Sequence, residues 1–152
     1  MTLSKSKKIT FLIVLVAIAL ISFFFFMPTL SAKRRIFTFP LMGSERAVVE
    51  VRYLRTAPDQ SDLQLFVDDL LLGPQTNRAR PLFSRGTQAL FCFVRDRTLY
   101  VNLTKDALLE ASDAAPILDG IAYFKQNILK NFPQIKEIEL FIDGKQEDRP
   151  VE

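Results

Sequence analysis

The 152-residue chain has no histidine and only one cysteine. Without histidine it lacks the commonest general base and the commonest metal ligand, so enzymatic and metal-centred functions start at a disadvantage. The lone thiol, Cys92, can close no internal disulfide, and within the apolar run from Leu90 to Val94 it reads as a small buried hydrophobe. No catalytic, metal or nucleotide-binding constellation is present, and no cofactor is expected. A one-signed basic surface is missing too. The net charge of +3 and pI near 9.1 come from Lys5, Lys7 and Lys8; the rest balances 17 basic against 17 acidic residues, which argues against a nucleic-acid partner.

What the chain does have is an uncharged stretch, Ile9 to Met27, interrupted by only Thr10 and Ser22 as polar residues. Its length suits a helix crossing a hydrocarbon layer of about 30 Å, with Pro28 ending the regular helix and Lys33, Arg34 and Arg35 as the second flank. A cleaved signal peptide is the competing reading, with Ser31-Ala32 before Lys33. The apolar run exceeds the roughly 7–15 residues of such peptides, and Leu30 is too large for the cleavage pattern, so an uncleaved anchor is favoured. No cysteine directly follows the stretch to take a lipid. The expected organisation is a cytoplasmic tail at 1–8, a single-pass anchor in the cell (inner) membrane at 9–28, a stalk at 29–44, one folded domain at 45–145 outside the cytoplasm, and a polar tail at 146–152. The remaining length holds one core of ordinary size.

Within the domain, the segment around Val48–Leu54 alternates as a half-buried strand, with Val49, Val51 and Tyr53 on one side and Val48, Glu50, Arg52 and Leu54 on the other. Leu63, Phe66, Val67, Leu70 and Leu71 then recur at helical spacing, with Asp59 or Ser61 as the cap and Gly73-Pro74 as the stop. Ala89–Arg95 and Thr98–Leu103 flank Asp96-Arg97 as a hairpin whose turn lacks the preferred glycine. Because Ala89–Arg95 is apolar on both faces, it reads as a central strand. A longer helix follows, capped by Ser112 or Asp113, with Pro116 in its first turn. Its stripe is Ile117, Ile121, Phe124 and Ile128, with Leu118 and Leu129 alongside, and Phe132-Pro133 ends it. The last strand, Lys136–Ile142, turns at Asp143-Gly144. The expected class is α+β: one mixed or mainly antiparallel sheet with the two longer helices on one face, preceded by the transmembrane helix.

In order along the chain, Val49-Glu50-Val51-Arg52-Tyr53-Leu54, Leu70-Leu71-Leu72-Gly73-Pro74, Arg85-Gly86-Thr87, Leu99-Tyr100-Val101-Asn102-Leu103-Thr104 and Ile138-Glu139-Leu140-Phe141-Ile142-Asp143-Gly144-Lys145 resemble the GerMN domain, a family of extracytoplasmic modules of bacterial sporulation and spore germination proteins. Asn102 stands where the family more often has an acidic residue, and Arg85 where it often has proline. The resemblance implies a non-enzymatic module that binds or assembles with other cell-envelope components, a partner protein or cell-wall polymer, and it transfers no catalytic residue.

Three arginines, Arg78, Arg80 and Arg85, are candidate contacts for an anionic partner, against the plainer reading of a polar loop. Asn102-Leu103-Thr104 matches a glycosylation acceptor, with Thr104 as a helix cap the simpler role. Asp68 and Asp69 diverge by about 100° on a helix and form no acid/base couple. The alternative function is an envelope hydrolase or transferase without histidine, using carboxylates such as Asp68, Asp143 or Glu139, which requires two of them to converge in one pocket.

Overall fold

The computed structural model describes residues 5–26, 32–55 and 59–147, and within the first of these the side chains of residues 9–23. The N-terminal apolar stretch forms helix α1 (Lys5–Phe26). The expectation of a membrane-spanning helix is overturned: among the described residues no helix is long and apolar enough to cross a membrane. Pro28, Leu30, Ser31 and most of the polar tail lie outside the described residues.

The single sheet is also overturned, because the strands form two sheets. The first is a ribbon of β1 (Ala32–Pro40) and β2 (Ala47–Arg55), antiparallel with Ile36 opposite Val51 and Phe39 opposite Val48. The second has four strands in the order β3 (Ala89–Arg95), β4 (Thr98–Leu103), β5 (Glu137–Ile142) and β6 (Lys145–Gln146). Its neighbours are antiparallel except β4 and β5, which run parallel and are joined through α3 (Ile117–Asn131).

Strand β1 lies in the stretch read as a stalk. Its basic start, Lys33-Arg34-Arg35, and Pro40 at its end obscure the period in the sequence. In the fold its apolar residues Phe37 and Phe39 are fully buried. They join the inner face of the larger sheet, made by Leu99, Val101, Leu103, Ile138, Leu140 and Ile142, and the buried sides of α2 (Asp62–Leu71) and α3 in one core. Each such aromatic removed from water contributes roughly 2–3 kcal/mol. Phe37 stacks on Phe66 of α2 with centroids 4.6 Å apart, and Phe66 meets Phe132 edge-on at 5.3 Å.

Helix α2 starts as its sequence requires. Ser61 is extended, and its hydroxyl accepts a hydrogen bond from the Gln64 amide at 3.1 Å. Gly73, at φ +89°, takes the left-handed conformation just beyond the helix end. Helix α3 starts differently, at Ile117, with Pro116 as its cap and no side chain closing its first amides, so neither Ser112 nor Asp113 serves. Ile121, Phe124 and Ile128 are buried, whereas Leu118 (78% exposed) and Leu129 (42%) face out, because the apolar stripe is narrower than the sequence suggests. Gly120 sits in that stripe where a Cβ would overlap the Leu82 carbonyl oxygen, which lets the helix lie directly on the 82–83 loop.

The free edge of β1 is closed by α3. Asn127 accepts from the Thr38 amide at 2.7 Å and donates to the Thr38 carbonyl at 2.8 Å. One helical turn later, Asn131 accepts from the Ile36 amide at 3.0 Å and donates to the Ile36 carbonyl at 2.6 Å. Four residues of helix rise about 6 Å and two residues of strand about 6.6 Å, so asparagines at i and i+4 match strand residues at i and i+2 and act as a surrogate strand.

Candidate binding surface

The outer face of the four-stranded sheet is aromatic. The strand register places Phe91 and Phe93 of β3 beside Asn102 and Tyr100 of β4, with Phe141 of β5 beyond. Ring centroids lie 5.7 Å apart for Phe91–Phe93, 5.3 Å for the stacked pair Phe93–Tyr100 and 6.4 Å for Phe91–Phe141. Phe91 and Phe93 remain 42% and 51% exposed, and Leu90 and Val94 are exposed beside them. Among the described residues no helix covers this side.

Strand β3 is therefore an edge strand, against the central position expected from its composition. Its apolar character on both faces has two separate causes: Cys92 and Ala89 pack against the core, while Phe91 and Phe93 stay open. Burial, with Asp68 nearby, pushes the Cys92 thiol up to about 11, so it is held as the neutral thiol near neutral pH.

The three candidate arginines separate. Arg78 and Arg80 flank buried Ala79, which bridges to Leu41, so Arg78 is exposed and Arg80 half-buried. Arg80 lines a cleft of about 660 Å³ with Phe83, Leu108, Glu110 and Ile117, and its Nε is buried without a hydrogen-bond partner. Arg85 belongs to a neighbouring cleft, where it pairs with Asp113 at 3.1 Å. The structure thus does not gather them into one cationic site.

The carboxylates proposed for catalysis are also apart. Asp68 on α2 accepts from Gln60 at 2.7 Å, and burial raises its pKa. Glu139 lies on β5 and accepts from Gln146. Asp143 occupies the β5–β6 turn at φ +51°. None of the three lines any of the four clefts described. Asn102 is only 8% exposed, and its side chain accepts from the Gly144 amide at 3.1 Å, pinning that turn; the acceptor of the glycosylation motif is a buried structural group. Thr104 caps the short 3₁₀ turn Lys105–Leu108 by position only, its hydroxyl accepting instead from the Gln88 amide at 3.2 Å.

One charged cluster escaped the sequence reading. Arg52, 6% exposed, pairs with Glu50 at 2.6 Å and Asp69 at 2.8 Å, donates to the Gly73 carbonyl at 2.7 Å, and lies over Phe37 at 4.5 Å. Glu50 also accepts from the amides of Gln75 and Thr76 at 3.0 and 3.1 Å. Burial alone would raise the Glu50 pKa, but these donors outweigh it and hold the carboxyl below its ordinary value. The face of β2 that turns inward is thus the one bearing Glu50 and Arg52, while Val49, Val51 and Tyr53 face outward. Alternation alone gave no sign of this, because a buried ion pair inverts the usual polarity.

This arrangement, two sheets around a core closed by two helices, is matched by a family profile described as "Germane: Sporulation and spore germination" over residues 37–148. The chain belongs to the Germane family. The GerMN resemblance carried by the strand and turn segments is thereby established. The Germane fold is similar to the tandem GerMN domains of the sporulation protein GerM from Bacillus subtilis, at 12% identity and a TM-score of 0.54, covering 76% of this chain and 40% of that one. It is likewise similar to the first GerMN domain of the same protein, at 15% identity and a TM-score of 0.52, covering 76% and 89%. This chain thus spans less than half of the tandem structure. At these identities the likeness establishes the fold. No curated protein matches the chain.

Proposed function

We propose that the Germane domain is a non-enzymatic, extracytoplasmic binding module of the bacterial cell envelope, whose partner is another envelope protein or a cell-wall component. The observation carrying this reading is the uncovered aromatic face of Phe91, Phe93, Tyr100 and Phe141 on a sheet whose opposite face packs into the core through β4 and β5. Exposed aromatics grouped on a rigid sheet supply contact area at low entropic cost, the composition expected of an interface centre. Family membership supports the envelope location. Arg78, which is exposed, and Arg80, half-buried at the wall of its cleft, are the accessory contacts for an acidic group of the partner; Arg85 is the weaker third, since Asp113 already engages it.

The hydrolase alternative has no supporting observation, because its carboxylates do not share a cleft. The binding reading is tested with a photo-crosslinking phenylalanine analogue at position 100 in intact cells. The expected result is an adduct with a defined envelope protein that disappears when Phe141→Glu is added. Adducts confined to cytosolic proteins, or unchanged by Phe141→Glu, would refute it.

A further inference from the structure

The two-residue turn Asp96-Arg97 has positive φ at both positions, +50° and +68°, the geometry of a tight hairpin in which the flanking pair Arg95 and Thr98 exchanges both backbone bonds. Alternation then directs the amides and carbonyls of Phe91, Phe93 and Arg95 toward β4 and those of Cys92 and Val94 away from it. Among the described residues no backbone or side-chain group bonds to β3 on its outer side. The usual protections of an edge are missing over this stretch: there is no proline, no lysine and no charge from Ala89 to Val94, and the single irregularity, between Ala89 and Phe91, lies at its start.

We propose that β3 pairs antiparallel with β3 of a second copy of this chain, about a two-fold axis at Phe93, joining two four-stranded sheets into one. This inference does not rest on the envelope-partner reading. The occupant is argued from the strand itself. In this register the outward groups of Cys92 and Val94 bond to Val94 and Cys92 of the copy, and the irregular start of the strand stays outside the paired segment. Phe93 meets its own symmetry mate in a non-hydrogen-bonded pair, where side chains approach most closely. Arg95, the one charge, falls opposite Phe91 of the copy rather than another cation, and a guanidinium beside an aromatic ring is attractive. The strand is therefore complementary to itself in backbone donors, in apolar surface and in charge. The aromatic groups of the two outer faces become continuous across the axis.

The test uses the full-length chain in a nonionic detergent, which occupies the exposed apolar surface of α1, with Cys92→Ala as the background. Phe93→Cys places two thiols across the axis at a spacing that a disulfide can bridge. The expected result is a reducible dimer containing most of the chain under mild oxidation, with little from the control Leu108→Cys on a distant exposed loop. In sedimentation equilibrium, Phe93→Asp sets two like charges against each other and weakens self-association at least about tenfold. Phe93 is half exposed, so circular dichroism of that variant should match the parent. A monomeric parent, crosslinking of Phe93→Cys no stronger than Leu108→Cys, or unchanged association of Phe93→Asp would each overturn the proposal.

Discussion

The two sheets treat their outer edges in opposite ways. In the β1–β2 ribbon, the edge of β1 faces the interior and is sealed by Asn127 and Asn131, which supply a strand's worth of donors and acceptors from a helix. In the larger sheet, the edge of β3 faces out and is left unpaired. Buried backbone groups must find partners within the chain, because an orphan costs about 1–3 kcal/mol, whereas an exposed edge is satisfied by water and remains available. The contrast separates a polar network that holds the fold from a surface free to serve binding.

The strongest way to break this contrast is to unseal the buried edge. Asn127 is fully buried, and Asn127→Leu removes both partners of Thr38 while keeping approximate volume. Two orphaned backbone groups predict a loss of about 3 kcal/mol in urea unfolding. A loss below about 1 kcal/mol would show that water reaches the edge of β1 and that both edges are open to solvent. Gly120→Ala probes the same face of the helix two turns earlier. The added methyl would push α3 off the Leu82 carbonyl and strain the asparagine register, with an expected cost of about 2 kcal/mol by the same measurement.

A smaller effect should appear with pH, through the cluster that ties β2 to the 73–76 loop. Glu50 has a folded pKa below its ordinary value of 4.5. Its contribution is therefore complete above that ordinary value and is lost as pH falls through the folded one. Stability measured from neutral pH downward should drop in that acid range. Glu50→Gln should be less stable than the parent at pH 7 and should show a shallower acid dependence. An unchanged acid slope would mean that Arg52 is neutralised by Asp69 alone.

Much of this architecture was legible in the sequence, for physical reasons that also explain the exceptions. Ser61, Gly73, and the alternation of Ile138, Leu140 and Ile142 announce their elements because each obeys a local rule of capping, turning or periodicity. Strand β1 was hidden because its burial depends on partners distant in sequence: Phe66 of α2, which stacks on Phe37, and Asn127 and Asn131 from α3. The asparagines themselves look like ordinary polar helix residues until the strand they complete is in place. Strand β3 misled for the converse reason, since hydrophobicity reports that a face is apolar but not whether anything covers it. The outer aromatic face was present in the alternation of Phe91, Phe93 and Tyr100. Only the exposure of these rings in the folded chain shows it to be open.

The last test sharpens the comparison from the side of the open sheet. The β3–β4 turn holds Asp96 and Arg97 in the left-handed region, where a residue with a Cβ is strained and glycine is not. Arg97→Gly keeps the Arg97 carbonyl, which accepts from Lys136 at 2.8 Å, and gives up only a long, exposed bond from the Arg97 side chain to Gln134 at 3.4 Å. The substitution should raise stability by about 0.5–1 kcal/mol in urea unfolding. Because the outer groups of Cys92 and Val94 are untouched, self-association should be unchanged in the same preparation. If the glycine variant gained stability but lost its dimer, the availability of the β3 edge would depend on strain in its turn rather than on the unpaired strand alone.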